Sequence, residues 1–149
     1  LENNQINQLE TFDSRAKINH LFLSNNKIKS LEFVRNLREL HLLNIENNLI
    51  ESILRRNLQN LIKLEYLYLK NNRISFIEDN SFLNLKMLRH VDLTFNKLKH
   101  VNQILGLEKM NELILNFNYI EIINRGNQSL QRPSASLIDF FIDIINADG

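Results

Sequence analysis

The stretch LEYLYLKNNRI, residues 64–74, contains the pattern that decides the fold. It follows the frame LxxLxLxxNxL, where L stands for a leucine-like apolar residue, and its framed residues are Leu64, Leu67, Leu69, Asn72 and Ile74. Four more complete copies begin at Ile18, Leu40, Leu88 and Met110, and a truncated first copy retains Leu1, Asn4 and Ile6. The framed asparagines are spaced by 22, 22, 24, 24 and 22 residues: Asn4, Asn26, Asn48, Asn72, Asn96 and Asn118. A fixed period in this range predicts a solenoid of stacked repeats.

The two central apolar residues of each frame are two positions apart, as Leu67 and Leu69 are. Because successive side chains of a β-strand point to opposite faces, these two point inward, whereas Tyr66, Tyr68 and Lys70 point outward. We therefore expect Tyr66 and Tyr68 to be exposed. One strand cannot bury its apolar face alone, so neighbouring copies stack in a parallel sheet. The return path is bulkier than a strand, so we expect the stack to curve with the sheet on its inner side. Six frames would place Tyr66 on the fourth of six strands.

The framed asparagines have a predicted structural role. After each strand the backbone turns sharply and leaves amide and carbonyl groups without sheet partners, at a cost of about 1–3 kcal/mol for each buried group. An inward asparagine both donates and accepts hydrogen bonds, so one asparagine in each repeat can satisfy these groups as a ladder. The adjacent Asn71 points outward in this frame, and we expect its replacement by alanine to cost less than about 0.5 kcal/mol.

The six frames resemble the leucine-rich repeat family, and the resemblance extends from Leu1 to about Ile123. It implies an α/β solenoid, a horseshoe with a parallel β-sheet on the concave face and irregular or short-helical segments on the convex side. Two subfamily patterns are mixed. The 24-residue units resemble extracellular repeats, including those of Toll-like receptor ectodomains, through Ile53-Leu58-Leu61 and Ile77-Phe82-Leu85. The 22-residue units resemble a shorter intracellular class through Leu31-Val34-Leu37 and Val101-Ile104-Leu107.

Two segments are predicted: a solenoid of about six repeats over residues 1–123 and a C-terminal capping segment over residues 124–149. Ser136 and Asp139 resemble a capping box, and apolar residues recur at helical spacing after them. We therefore expect a short helix over residues 137–146 that covers the open apolar end of the solenoid. A last strand is the alternative, because isoleucine and phenylalanine also favour strands. The first frame is already incomplete at its start, so we expect the chain to be part of a longer one.

The outward strand positions form a grid of three columns. The first column contains His20, Leu42, Tyr66, His90 and Glu112; the second contains Phe22, Asn44, Tyr68, Asp92 and Ile114; the third contains Ser24, Glu46, Lys70, Thr94 and Asn116. Many of these side chains are aromatic or apolar although the fold does not require it, and exposed clusters of this kind mark protein contacts. The predicted partner-binding residues are His20, Phe22, Leu42, Asn44, Tyr66, Tyr68, Lys70, His90, Asp92, Glu112 and Ile114. Phe95 and Phe117, each directly before a framed asparagine, are expected to pack locally.

Composition and motifs argue against several other classes. The net charge of +1 and the scattered basic residues give no stripe for nucleic acid, and no apolar stretch approaches the roughly 18 residues that span a bilayer. The chain has no cysteine and no glycine-rich phosphate loop, so we expect neither an enzyme nor a cofactor. His20, His41 and His90 share a face, but they occupy different columns or distant strands, so no metal site is expected.

The resemblance implies a protein–protein recognition module that binds a protein ligand on the concave sheet, in an extracellular receptor or innate-immune setting. One alternative is a cytosolic scaffold or regulatory subunit, such as a phosphatase regulator, which the 22-residue units and the lack of cysteine favour. Another is the substrate-selecting arm of a larger enzyme. We expect an extracellular or secreted location, with the cytoplasm as the alternative. Asn127-Gln128-Ser129 fits the N-glycosylation pattern, but such a triplet is expected by chance in this asparagine-rich chain, and no feature specifies an oligomeric state.

Overall fold

The computed structural model is a parallel-strand solenoid, and it describes residues 1–101, 104, 107 and 109–120. The predicted capping segment at 124–149, its helix at 137–146 and Asn127 lie outside the described residues, so the predicted boundary at residue 123 stays a prediction. Across the described ranges, no helix is both long and apolar enough to cross a membrane.

The elements alternate between short strands and tight return segments. In chain order they are β1 (His20–Phe22), a 3-10 helix (Glu32–Val34), β2 (Leu42–Asn44), β3 (Ser52–Ile53), α1 (Arg55–Leu58), β4 (Tyr66–Tyr68), β5 (Phe76–Ile77), β6 (His90–Asp92) and β7 (Glu112–Ile114). Strands β1, β2, β4, β6 and β7 pair in that order as a five-stranded parallel sheet, and β3 pairs with β5 in a two-stranded one. The predicted α/β solenoid, a leucine-rich repeat horseshoe with its parallel sheet on the concave face, is confirmed.

The number of strands differs from the expectation of six. Tyr66 lies on the third of five strands in the described main sheet, not on the fourth of six. The reason is that the first frame starts at Leu1, which is equivalent to Leu23 in the next repeat, and Leu23 follows β1. The truncated copy therefore contributes a turn to the stack and no strand.

The inward layer behind the main sheet is the hydrophobic core. Leu67 and Leu69 are 0% exposed, as the alternation predicts, and Leu64 is also 0% exposed. The framed apolar residues of the five complete copies are buried except Ile18 and Ile120, which are partly buried and pack against the core from its two ends. Burial weakens at the ends because each repeat is covered by its neighbours.

The return segments are linked from repeat to repeat by polar side chains. Helix α1 packs against the 3-10 helix. Glu32, in the 3-10 helix, accepts hydrogen bonds from Arg56 Nε and Asn57 Nδ2, both at 3.1 Å. Asn57 is buried, and its Oδ1 accepts from the backbone N–H of Leu54 at 3.2 Å. The convex side is therefore irregular and short-helical, and its ordering comes from contacts between successive repeats.

The asparagine ladder spans pairs of adjacent repeats. Asn72 Nδ2 donates to the carbonyls of Leu69, in its own repeat, and of Ile45, in the preceding one, both at 3.0 Å. Its Oδ1 accepts from the backbone N–H of Ile50 at 2.9 Å. The same three kinds of bond are made by Asn26, Asn48, Asn96 and Asn118. The exposed Asn4 instead donates to the carbonyls of Leu1 and Glu2.

The residue directly before each framed asparagine has a left-handed backbone. The φ angles are 56° at Asn3, 57° at Asn25, 54° at Asn47, 53° at Asn71, 55° at Phe95 and 57° at Phe117. Asparagine tolerates this region better than most residues with a Cβ. Asn71 is exposed, as expected, but its positive φ argues against the expected small cost of replacing it by alanine. Its side chain also donates to Asn47 Oδ1 at 2.7 Å, which forms part of a second, exposed row of asparagines.

Replacing Asn71 by alanine is expected to lower the free energy of unfolding by about 1 kcal/mol, because alanine is strained at positive φ. Replacing it by glycine should recover at least half of that loss, since glycine has no Cβ to clash. Both values come from urea unfolding monitored by circular dichroism. Equal losses for the two variants would mean that the side-chain contact with Asn47, and not the backbone angle, sets the requirement at this position.

Candidate functional site

The outward side chains of the main sheet lie in register along two columns. The first column pairs His20, Leu42, Tyr66, His90 and Glu112 across the five strands. The second pairs Phe22, Asn44, Tyr68, Asp92 and Ile114 in the same way. Lys70 is exposed two residues after β4. The structure therefore brings all eleven predicted partner-binding residues to one face, which we call the concave face.

The third column differs from the prediction. Ser24 and Thr94 are buried, with 5% and 8% of their surface exposed, and are therefore not available on the grid. Their side chains are short. Ser24 Oγ also donates to the Glu2 carboxylate. Glu46, Lys70 and Asn116 keep part or most of their surface exposed, so this column contributes to the concave face only where its side chains are long or polar.

An aromatic cluster lies near the centre of the concave face. The ring of Tyr68 is 4.8 Å from the ring of His90, and the ring of Tyr66 is 6.4 Å from it. Tyr66 is exposed, but Tyr68 is half-buried, so the expectation that both tyrosines are exposed is correct only for Tyr66. Burial raises the pKa of the Tyr68 phenol above its usual value, and the nearby Tyr66, Glu46, Glu112 and Asp92 raise it further. Tyr68 therefore stays neutral at physiological pH.

His90 connects this cluster to the acidic side of the face. Its Nδ1–H donates to Glu112 Oε2 at 2.8 Å, and only 16% of the side chain is exposed. Its Nε2 is buried and has no hydrogen-bond partner among the described residues. The unpaired nitrogen opposes burial of the ring, whereas the ring contacts with Tyr66 and Tyr68 and the bond to Glu112 favour it.

Carboxylates surround the cluster, and each is anchored by a hydrogen bond. Asp92 Oδ1 accepts from the backbone N–H of Thr94 at 2.8 Å. Glu112 is held by His90, and Glu46 Oε2 lies 3.5 Å from Asn44 Nδ2. Their side chains are thus partly ordered before any ligand arrives.

The β1 end of the face is aromatic and less polar. Phe22 is 45% exposed, and Leu42, which lies opposite His20 on the next strand, is half-buried. The rings of His20 and His41 are 6.5 Å apart, and His41 Nδ1 is 2.9 Å from the Glu39 carbonyl. Among the residues that the structure describes, no group of three or more histidine, aspartate and glutamate side chains could hold a metal ion.

A second aromatic feature flanks the concave face at its carboxyl edge. The rings of Phe95 and Phe117 stack with centroids 4.3 Å apart and an angle of 5° between their planes. Local packing of this pair was predicted, but their exposure of 45% and 56% and their positive φ angles were not. The sequence feature that sets these two residues apart is their position: phenylalanine replaces the asparagine that precedes the framed asparagine in four other repeats.

The comparisons with known proteins agree with this architecture. The sequence matches the model of the family described as leucine rich repeat over residues 38–98 and again over residues 62–120. Together these matches cover more than half of the chain, which therefore belongs to the leucine-rich repeat family. A search of curated protein sequences finds no match.

Two solved structures place the fold among larger solenoids. The plant peptide hormone receptor RGFR1, in complex with RGF2, is similar with 28% identity and a TM-score of 0.59, over 68% of this chain and 17% of the receptor chain. An internalin, inlF from Listeria monocytogenes, is similar with 17% identity and a TM-score of 0.52, over 82% of this chain and 48% of the internalin chain. The second likeness shows the fold alone. The chain thus spans less than half the length of either protein.

Proposed function

We propose that this chain is a protein-recognition module that binds an extended segment of its partner on the concave face. One observation carries the proposal: Tyr66 and Tyr68 stand on the outward side of β4 at the middle of the sheet, where the fold does not require aromatic side chains. Aromatic residues near the centre of a surface, with polar residues around them, are the usual source of binding energy in protein interfaces. The half-exposed and exposed polar residues Asn44, Glu46 and Lys70 provide that surround.

The dimensions of the main sheet fit an extended peptide. Five strands at about 4.8 Å spacing present a surface about 19 Å long. An extended chain covers about 3.3 Å per residue, so about six residues of a partner would cross the whole sheet. The matched plant protein is a peptide hormone receptor in complex with RGF2, which supports a peptide ligand.

For the biological setting we favour an extracellular receptor, including an innate-immune one, with an extracellular or secreted location. The support is the extracellular type of the two 24-residue units together with the likeness to a plant receptor. The 22-residue units favour a cytosolic scaffold or regulatory subunit as the second candidate. In either setting the chain acts by binding, and any catalytic step would belong to another part of a longer protein.

The test begins with selection of six- to ten-residue peptides from a random displayed library on the purified chain. The dissociation constant of the best peptide is then measured for the wild type and for Tyr68→Ala. We expect Tyr68→Ala to weaken binding by at least about 1–2 kcal/mol, because a central aromatic side chain is lost. The matched control is Phe76→Ala, which removes a ring that is 54% exposed on the separate two-stranded sheet.

Phe76→Ala should leave the affinity unchanged. If Phe76→Ala abolishes binding and Tyr68→Ala does not, the contact lies away from the concave face and this assignment of the site is wrong. If no peptide is enriched, the chain does not take extended segments, and the proposal fails in that form.

A further inference from the structure

The concave face has a charge opposite to that of the whole chain. The chain has a formal net charge of +1, yet the outward positions of the main sheet contain Glu46, Asp92 and Glu112 against a single lysine, Lys70. Lys70 is equivalent to Glu46 in the neighbouring repeat and follows β4, which lies between β2 and β6. The outward positions of β6 and β7 contain Asp92 and Glu112 and no lysine or arginine.

These two carboxylates lie beside the aromatic cluster. Asp92 pairs with Tyr68 across β4 and β6, and Glu112 pairs with His90 across β6 and β7. Glu112 is also hydrogen-bonded to the ring that contacts Tyr68. The phenol of Tyr68 therefore lies near both carboxylates, and they add to the upward direction of its pKa, which is caused first by burial.

We propose that the surface formed by Tyr66, Tyr68, Asp92 and Glu112 receives a cationic side chain, arginine above all, from an extended peptide partner. This inference rests on the proposed function and adds the chemistry of the segment that is bound. Arginine combines a planar guanidinium, which stacks on an aromatic ring, with donors that pair with carboxylates. Lysine can also contact both halves of this surface, but its ammonium lacks the planar fork of donors that stacks on a ring and pairs with carboxylates at the same time.

The surface needs little rearrangement to accept such a group. Asp92 is anchored by the Thr94 N–H, and Glu112 is anchored by His90, so neither carboxylate has to be ordered by the ligand. Ordering of side chains at an interface opposes binding, so anchored groups favour it. An acidic ligand side chain at the same place would meet two like charges, and the face would reject it.

The test compares two labelled hexapeptides of glycine and serine, one with two arginines and the other with two glutamates at the same positions. Binding is measured by fluorescence anisotropy at low salt. We expect the arginine peptide to bind and to weaken as salt is added, because exposed charges are screened. Asp92→Asn combined with Glu112→Gln should reduce its affinity at least about tenfold, since the guanidinium then meets two neutral amides in place of two carboxylates.

These substitutions keep an oxygen that can accept from the Thr94 N–H and from His90, so the fold is expected to survive, and the urea midpoint of the double variant checks this. The matched control is Glu10→Gln with Glu51→Gln, which removes the same charge from two exposed positions outside the main sheet. The control should change the affinity for the arginine peptide by less than about twofold, as expected for a long-range effect alone.

The inference is overturned if the arginine peptide does not bind, if both peptides bind equally, or if a folded double variant binds the arginine peptide like the wild type. These outcomes are separate from failure of the proposed function. A library-selected peptide whose binding requires Tyr68 but not Asp92 or Glu112 would support recognition on the concave face without a cationic preference. If the selected peptide binds Tyr68→Ala as tightly as the wild type, both the cationic preference and the proposed function are contradicted.

Discussion

Leu69→Ala is expected to lower the free energy of unfolding by about 2–5 kcal/mol. Leu69 is 0% exposed and directly follows β4. Its equivalents in the adjacent repeats, Ile45 and Leu93, are also buried, so the leucine belongs to a continuous inward layer. Truncation removes apolar contacts and leaves a cavity that the rigid repeats on both sides cannot close.

The measurement is urea unfolding monitored by circular dichroism, and Lys70→Ala is the control. Lys70 is the next residue, is exposed and points to the other side, so its truncation should change the stability by less than about 0.5 kcal/mol. A Leu69→Ala variant as stable as wild type would show that the inward layer does not hold the solenoid together.

Asn72→Leu is expected to lower the free energy of unfolding by about 1–3 kcal/mol for each buried backbone group that it leaves unpaired. The volume of the side chain is nearly kept, but the leucine can neither donate to the Leu69 and Ile45 carbonyls nor accept from the Ile50 N–H. Because two of these three groups belong to the preceding repeat, the variant should also weaken the coupling between repeats.

The same substitution at Asn4 provides the matched control. Asn4 is exposed, and its amide donates to two carbonyls near the start of the chain, where water can replace it. Asn4→Leu should therefore lower the stability far less than Asn72→Leu does in the same unfolding experiment. Equal losses at the two positions would contradict the argument that the ladder satisfies buried groups.

Much of the architecture follows from the sequence because the frame is rigid. Once Leu67 and Leu69 are assigned inward, the alternation of a strand fixes Tyr66 and Tyr68 outward, and the spacing of the asparagines fixes the register between repeats. Both columns of the concave face are paired in the structure as that register requires. The frame therefore predicts which residues share a face.

The features that the sequence did not predict depend on local backbone angles and on contacts between repeats. Asn71 is outward by alternation, but the preference for asparagine at this position comes from a φ of 53°, which the frame does not encode. Tyr68 is outward and still half-buried, because the ring of His90 lies 4.8 Å away. Thr94 is outward by counting and is nevertheless buried, with 8% of its surface exposed. The hydrophobic spacing predicts on which side of the sheet a side chain lies, but it does not predict how deeply that side chain is buried by its neighbours.

The central claim is that alternate residues of one strand serve two separate purposes, stability on the inner side and recognition on the outer side. Tyr68 and Leu69 are neighbours in sequence. The direct test measures the unfolding free energy and the affinity for the selected peptide in both Leu69→Ala and Tyr68→Ala. We predict that Leu69→Ala loses stability and, at temperatures where it is folded, keeps its affinity. Tyr68→Ala should lose affinity with a much smaller loss of stability. If the two variants lose stability and affinity in the same proportion, the separation of the two sides is contradicted.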